Sequence, residues 1–191
     1  MIGLADRVER VPYSIASAPL ETAGTGLLDF LIKIEPSGRW GHQFDSLDVG
    51  AAISVRGPFG SFTLPKQPQE ERFLFIAGGT GIAPIRAMIR EALLAGGSPR
   101  MRLLYSAKTA DDFAYLPELG DMAGRNGLDL KLHQTRSASG SSRIGLAQLA
   151  ALVETPETLC FVCGPESMVA DVPPMLCELG IERRRIRVEE W

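Results

Sequence analysis

The sequence predicts two units of different class: a β unit over residues 1–66 and an α/β unit with a doubly wound parallel sheet over residues 71–191. Three observations carry that reading. The stretch Pro65-Lys66-Gln67-Pro68-Gln69-Glu70-Glu71 combines two prolines with polar and charged residues, the composition of a connection between compact units. Before it, short apolar segments are punctuated by glycine and proline; after it, apolar runs alternate with segments of helical spacing. Where the first of those runs hands over to the first helix stands a glycine-rich turn, at residues 78–81.

In the first unit, extended segments are expected at residues 13–16, 28–34, 52–56 and 61–64. The second unit opens with a strand at residues 73–77 and a helix over residues 84–95, where Ile85, Met88, Ile89 and Leu93 share one apolar face and read as core. Pro84 suits a first helical turn because its missing N–H would lack a partner there anyway. A strand at 101–105, a helix near 117–123, a strand at 128–132 and a helical piece within 144–153 follow. A strand at 160–163, a helix over 166–179 and a last strand at 186–188 complete the unit, with a kink or break expected at Pro173-Pro174. Strands separated by helices need crossover connections, which give a parallel sheet.

Composition limits what such a protein does. Across 191 residues, 20 Lys plus Arg stand against 23 Asp plus Glu, a formal charge of −3 that offers no electrostatic footprint for nucleic acid. With 45% hydrophobic and 23% charged residues, the chain is neither disordered nor collagen-like. No apolar run is long enough for a membrane span, and Met1-Ile2-Gly3-Leu4-Ala5-Asp6 lacks the basic start and apolar stretch of a secretory signal, so a cytoplasmic protein is expected. Of the three cysteines, Cys160 and Cys163 form a C-x-x-C, but inside the apolar run Leu159-Cys160-Phe161-Val162-Cys163. There Cys160 reads as core filler rather than half of a redox dithiol. A second ligand pair is lacking, His42 and His133 lie far apart, and the four-cysteine spacing of an iron–sulfur cluster is absent, so no protein-ligated metal is expected.

The strongest chemical signal is Phe75-Ile76-Ala77-Gly78-Gly79-Thr80-Gly81-Ile82-Ala83-Pro84. Glycines at a strand-to-helix handover allow a tight turn and close backbone approach, and the helix start offers N–H groups to an anion. The spacing is not G-x-G-x-x-G, and without Gly-Lys-Ser/Thr it is not a nucleoside-triphosphate loop. In a doubly wound sheet, ligands bind at the carboxyl ends of the strands, which puts residues 78–84, Ser106, Arg136 and Cys163-Gly164-Pro165 on one rim.

Taken in order, Tyr13-Ser14-Ile15-Ala16-Ser17, Gly57-Pro58-Phe59-Gly60, Gly78-Gly79-Thr80-Gly81-Ile82-Ala83-Pro84, Tyr105-Ser106, Cys163-Gly164-Pro165 and Glu189-Glu190-Trp191 resemble the ferredoxin-NADP reductase family of flavin-dependent pyridine-nucleotide oxidoreductases. The resemblance implies a flavin-binding antiparallel β-barrel over residues 1–66 and an NAD(P)-binding domain over residues 71–191. It implies hydride transfer from NADPH or NADH to FAD or FMN, with electrons passed singly to a separate ferredoxin, flavodoxin, oxygenase component or small molecule. By the same resemblance Tyr13 contacts the flavin, the Ser14 hydroxyl reaches its reactive nitrogen, Cys163 and Glu189 lie near the nicotinamide, and Trp191 packs on the flavin. Gly78, Gly79, Thr80, Gly81, Pro84, Gly164 and Pro165 would border the dinucleotide. Discrimination for NADPH would fall to Ser106, Lys108, Thr135, Arg136 and Arg143, and no acidic residue directly follows Ser106 to grip a bare ribose.

The chain also departs from the family pattern. Val11 stands where an arginine usually pairs with flavin phosphate, with Arg10 one residue off. In the second phosphate segment, Gly38-Arg39-Trp40-Gly41-His42, Gly41 replaces a hydroxyl residue and leaves its loop N–H to bind phosphate. The barrel is expected to be truncated, starting in mid-barrel where the family has about six strands. Three accounts of that follow: a fragment, strands supplied by another chain, or flavin weakly held or lost. The rival to the enzyme reading is a non-catalytic nucleotide-binding or subunit-interaction module without flavin.

Overall fold

The computed structural model describes residues 1–4, 9–34, 41–96, 99–137 and 140–191. Its second unit is a five-stranded parallel sheet: β3 (Arg72–Gly78), β4 (Arg100–Ala107), β5 (Leu128–Gln134), β8 (Leu159–Gly164) and β9 (Ile186–Glu190), in the spatial order β5-β4-β3-β8-β9. Helices α3 (Ile82–Leu94), α4 (Leu116–Asn126), α5 (Leu146–Ala150) and α6 (Glu166–Glu178) lie between the strands, and a small hairpin, β6 (Arg136–Ser137) with β7 (Gly140–Ser141), follows β5.

Alternation along β3 builds both faces. Phe73, Phe75 and Ala77 join Ile85, Ile89, Met88 and Leu119 in one core, and Leu74 and Ile76 join Leu149, Val172 and Leu176 in the other. Buried on both faces, the central strands are near-continuous apolar runs, as parallel strands covered by helices require. Cys160 is fully buried in the second core, as its apolar run predicted. The expected break in the last helix is not there: α6 runs unbroken through Pro173-Pro174. Pro173 is buried with Val172 and Leu176, so packing against the sheet outweighs the lost backbone bonds.

The first unit is sparser in regular structure than its apolar pattern predicts. Strand β1 (Ile2–Leu4) pairs antiparallel with β2 (Ile53–Val55), and single bridges join Ile2 to Val11 and Ile15 to Phe30. Among the described residues this is one wall of antiparallel structure and not a closed barrel. Residues 28–34 and 61–64, expected as strands, form no ladder: the first holds only the bridge at Phe30, and the second bends at Ser61 and Thr63. Their apolar side chains do other work, since Leu31, Phe62 and Leu64 pack on the core of the second unit. Two short helices were not foreseen: α1 (Pro19–Thr25) and α2 (Gly41–Asp45). The signals for α1 are Pro19 in its first turn, Glu21 accepting the Ala18 N–H at 3.2 Å, and Gly26 at φ 73° closing it.

Candidate functional site

Chain order fixes where the site falls. From β3 the chain moves outward to β4 and β5, then returns to the other side of β3 for β8 and β9. The switch point lies between β3 and β8, and in doubly wound sheets the crevice beyond the strand ends at that point binds ligands. Gly78 ends β3 there, beside Ser106 of β4, while Cys163 and Gly164 end β8 and Glu189 sits next to Cys163 on β9.

Close packing explains the glycines. A Cβ on Gly81 would overlap the carbonyl group of Cys163, 2.6 Å from its carbon, so this glycine is what lets the turn lie against β8. A Cβ on Gly164 would meet the Met168 sulfur at 2.7 Å and Gly78 Cα at 3.3 Å. Gly79 differs: its φ of +54° is the left-handed region, and an added Cβ would touch only the indole of Trp191, at 3.3 Å. Thr80 completes the single turn of 3-10 helix Gly79–Gly81 leading into α3, where Pro84 is buried in the first turn. The α3 start has no side-chain cap, and the 3-10 turn runs into it, the Ile82 N–H donating to the Gly79 and Thr80 carbonyls. Turn and helix start together suit the pyrophosphate of a dinucleotide.

Polar contacts hold that turn. The Tyr105 hydroxyl donates to the Gly79 carbonyl at 3.1 Å and accepts the Ala114 N–H at 3.1 Å, and burial pushes its pKa up to about 12. The Trp191 indole N–H donates to the Gly78 carbonyl at 3.1 Å. Trp191 therefore rests on the glycine turn, while its ring stays more than half exposed, at 55%.

The two units meet at Ser14. Its hydroxyl donates to Glu189 Oε1 at 2.9 Å, across 175 positions of sequence, and Cys163 is the β8 neighbour of that glutamate. Tyr13, one residue before, is half-buried and edge-on to Phe44, with ring centroids 6.0 Å apart. Ser14, Glu189 and Cys163, three residues proposed from the motifs, are thus brought to the crevice. They would border the ring portion of a flavin facing a nicotinamide, offering a hydroxyl and a carboxylate with an aromatic side chain close by.

Cys163 is 1% exposed, and burial first, with the Glu189 charge second, pushes its pKa up to about 12; burial also takes Cys160 to about 12. A raised thiol pKa leaves the neutral form in place at every pH below it, so neither is a thiolate near neutrality. At pH 8, alkylation with iodoacetamide is expected to give one adduct on the folded chain, at the exposed Cys177, and three after denaturation, read by mass spectrometry. Early labelling of Cys163 would contradict its burial.

The remaining residues are spread more widely. Arg10 donates to the Ser54 hydroxyl from Nε at 3.2 Å and Nη2 at 2.8 Å. Gly41 is buried, and a Cβ added there would meet the backbone of Lys33 and Ile34 at 3.2 Å, while Gly38, Arg39 and Trp40 lie outside the described residues. Ser106 is buried beside Gly78. Arg136 is exposed in the hairpin, and Arg143 is exposed and 3.4 Å from Asp171. Pro165 caps α6, its carbonyl accepting the Met168 N–H at 2.8 Å. The Asp112 carboxylate accepts the Thr109 backbone N–H at 3.0 Å and its hydroxyl at 2.7 Å, which holds its pKa low. Tyr115 packs on Arg86, its ring centroid 4.8 Å from the guanidinium carbon. Sequence reasoning passed over Arg86 and Arg90, although two cations four residues apart in a mostly apolar helix are a readable anomaly. Among the described residues no group of three His, Cys, Asp or Glu side chains is placed to hold a metal, and no helix is long and apolar enough to cross a membrane.

Known proteins resemble this chain in sequence and fold. Residues 75–173 match the oxidoreductase NAD-binding domain family and residues 5–64 the oxidoreductase FAD-binding domain family. The chain is 32% identical to ferredoxin–NADP reductase B of Sorangium cellulosum, over 94% of this chain and 77% of that one. It is 32% identical to the reductase component of propane 2-monooxygenase from Mycolicibacterium goodii, over 88% of this chain but 47% of that one. Among solved structures, the cytochrome P450 reductase of Amycolatopsis superposes with a TM-score of 0.81 at 23% identity, covering 99% of this chain and 58% of that one. A mutant ferredoxin–NADP+ reductase of Plasmodium falciparum superposes at 0.79 and 20% identity, covering 100% of this chain and 81% of that one. At those identities the structures speak for the fold. Family matches across both units, together with the sequence likeness to the Sorangium reductase, place this chain in the flavin-dependent NAD(P)H oxidoreductases of the ferredoxin–NADP reductase family.

Proposed function

We propose that the chain takes a hydride from NADPH, or NADH, onto bound FAD and delivers electrons singly to a separate acceptor: a ferredoxin, a flavodoxin, an oxygenase component or a small molecule. The observation that carries this is the Ser14–Glu189 hydrogen bond beside Cys163, at the switch point where the glycine turn ends β3. Residues 1–66 act as the flavin side and residues 71–191 as the dinucleotide side, in the cytoplasm. A flavin, when bound, supplies the hydride acceptor and the step from two-electron to one-electron chemistry.

This chain's residues supply the rest. The turn at residues 78–81 and the start of α3 receive the pyrophosphate. Cys163, as a small neutral thiol, and Glu189 border the nicotinamide and hold its reacting carbon in line. Ser14 holds its proton toward Glu189 and so sits at the junction between the two ring systems. Trp191 lies on the turn and must shift for the nicotinamide to enter. Arg10 and Gly41 are assigned to the flavin phosphate, and Ser106, Arg136 and Arg143 to the adenosine end.

The purified chain should be yellow, with a band at about 450 nm that bleaches anaerobically on adding NADPH. A colourless protein that takes up no FAD or FMN yet binds NADPH would replace this proposal with the non-catalytic module. Cofactor choice is tested by Arg136→Ala and Arg143→Ala. Together they are expected to weaken NADPH by roughly tenfold while changing NADH less than twofold, the size of one charge-assisted phosphate contact. Equal losses by calorimetry would remove the 2′-phosphate assignment. Arg136 should carry more of the effect, because Arg143 already faces Asp171.

A further inference from the structure

Within the proposed hydride transfer, we infer that Arg86 is a positioning residue that fastens the flavin-side segment to the nucleotide-binding helix and thereby sets where Ser14 stands against Glu189. Arg86 lies on the second turn of α3, the helix that the glycine turn opens. Its side chain is 8% exposed. It donates from Nη1 to the carbonyl of Ala16 at 2.6 Å, two residues beyond Ser14, and from Nε to Glu118 at 2.8 Å. Glu21 and Asp29, both of the first unit, lie 3.7 Å from Nη1, and Tyr115 covers the guanidinium.

The arrangement is more than a surface ion pair. Arg90, one turn later, pairs with the same two glutamates, Glu21 at 2.7 Å and Glu118 at 2.9 Å. One carboxylate from each unit is therefore shared by two arginines of α3. Ala16 is itself held by its N–H donating to the Asp29 carbonyl at 2.8 Å, so the segment Arg86 grips is already tied into a bridge with residues 29–30. Burial opposes the charge of Arg86, but the hydrogen bond and charge of Glu118 and the charge of Glu21 outweigh it and raise its pKa. A planar fork serves Ala16 and Glu118 from two separate nitrogens at once; a lysine ammonium has three donors but all on one nitrogen, and does not reproduce that span.

Two other bonds cross between the units near the crevice, Ser14 to Glu189 and Arg187 Nη1 to the Thr63 carbonyl at 2.8 Å, both ending on β9. On α3 the crossing contacts are Arg86 to Ala16, Arg90 to Glu21, and the Leu20 N–H to Glu91 Oε2 at 2.9 Å; that of Arg86 lies nearest Ser14 in sequence. Loss of its fork frees the segment that carries Tyr13 and Ser14 while the dinucleotide turn and sheet stay intact. A misplacement of about 1 Å at reacting groups costs on the order of a hundredfold in rate.

The test compares the parent chain with Arg86→Lys, Arg86→Gln and Glu118→Gln, each first checked for a cooperative melt. Hydrogen–deuterium exchange, which needs no flavin, should rise at least tenfold over residues 13–30 in Arg86→Gln, and less in Arg86→Lys and Glu118→Gln, with β3 and β8 unchanged. Stopped-flow bleaching at about 450 nm by NADPH should slow roughly tenfold to a hundredfold in Arg86→Gln, with NADPH affinity within twofold of the parent. Added to Ser14→Ala, Arg86→Gln should cost less than threefold more, because both act at one place. Unchanged exchange over residues 13–30 overturns the fastening, as does a rate effect that multiplies in full with Ser14→Ala. A parent that NADPH cannot bleach overturns the proposed function instead, and the exchange result then still decides for or against the fastening. Should Arg86→Gln not fold, Arg86→Lys and Glu118→Gln carry the same comparison at smaller size.

Discussion

Valine at position 81 is expected to lower the melting temperature by about 2–12 °C, whereas alanine at position 79 should leave the fold nearly intact and weaken dinucleotide binding at least tenfold. Both glycines belong to one turn, but their surroundings differ. The Gly81 backbone is in an ordinary right-handed conformation, at φ −60°, so no strain argues for glycine there. What argues for it is the Cys163 carbonyl, backbone of a fully buried central strand, lying where the Cβ would go. Backbone cannot swing aside as a side-chain tip can. Either the turn lifts off β8 or the strand shifts, an overpacking cost of up to about 3 kcal/mol, and about 2–4 °C per kcal/mol is typical for a chain of this size.

At Gly79 the added methyl meets only the edge of Trp191, and the left-handed φ costs about 1 kcal/mol. The damage falls on the face that the pyrophosphate must approach. Melting curves and calorimetric titration with NADPH separate the two effects. Gly81→Val with an unchanged melt would mean that the turn does not press on β8; Gly79→Ala with unchanged affinity would move the dinucleotide off this turn. Substitution at Gly81 is thus mainly a test of packing, although its motif reads as a ligand loop.

The parallel sheet was legible because its central strands are buried on both faces and flanked by helices, so runs such as Phe73-Leu74-Phe75-Ile76-Ala77 stand out against their surroundings. The first unit was less legible for the opposite reason. Leu31, Phe62 and Leu64 have strand-like surroundings in sequence, yet their apolar contacts are made with the other unit rather than across a ladder, and nothing local distinguishes the two cases. Ser14, Cys163 and Glu189 were proposed through their neighbours in ordered motifs, not through spacing, since a bond between residues 175 positions apart leaves no local period. Arg86 was missed because the glycine turn drew attention to the start of α3 and the helix beyond it was read only for its apolar stripe. A buried cation four residues from another was the available signal, and it requires asking where each charge on an apolar helix finds its partner.

Replacing Ser14 by alanine is expected to slow NADPH-dependent bleaching at about 450 nm by roughly tenfold to a hundredfold, with NADPH affinity changed less than twofold. The magnitude follows from the bond removed: a hydroxyl donating to a carboxylate at 2.9 Å belongs to the class of charged hydrogen bonds worth about 1.5–3 kcal/mol. The split between rate and affinity follows from where it lies. Ser14 touches neither the glycine turn nor the hairpin that carries Arg136, so ground-state binding of the dinucleotide does not use it. It meets Glu189 at the meeting of the two units, so its loss is felt when the two rings are brought together. Glu189→Gln separates geometry from charge, because its amide oxygen still accepts from Ser14 while the negative charge beside Cys163 is gone. If position alone matters, Glu189→Gln retains most of the parent rate and Ser14→Ala does not; if the charge matters, both fall together. A Ser14→Ala chain as fast as the parent would take the chemistry away from this contact, and with it the assignment of residues 13–14 to the flavin side.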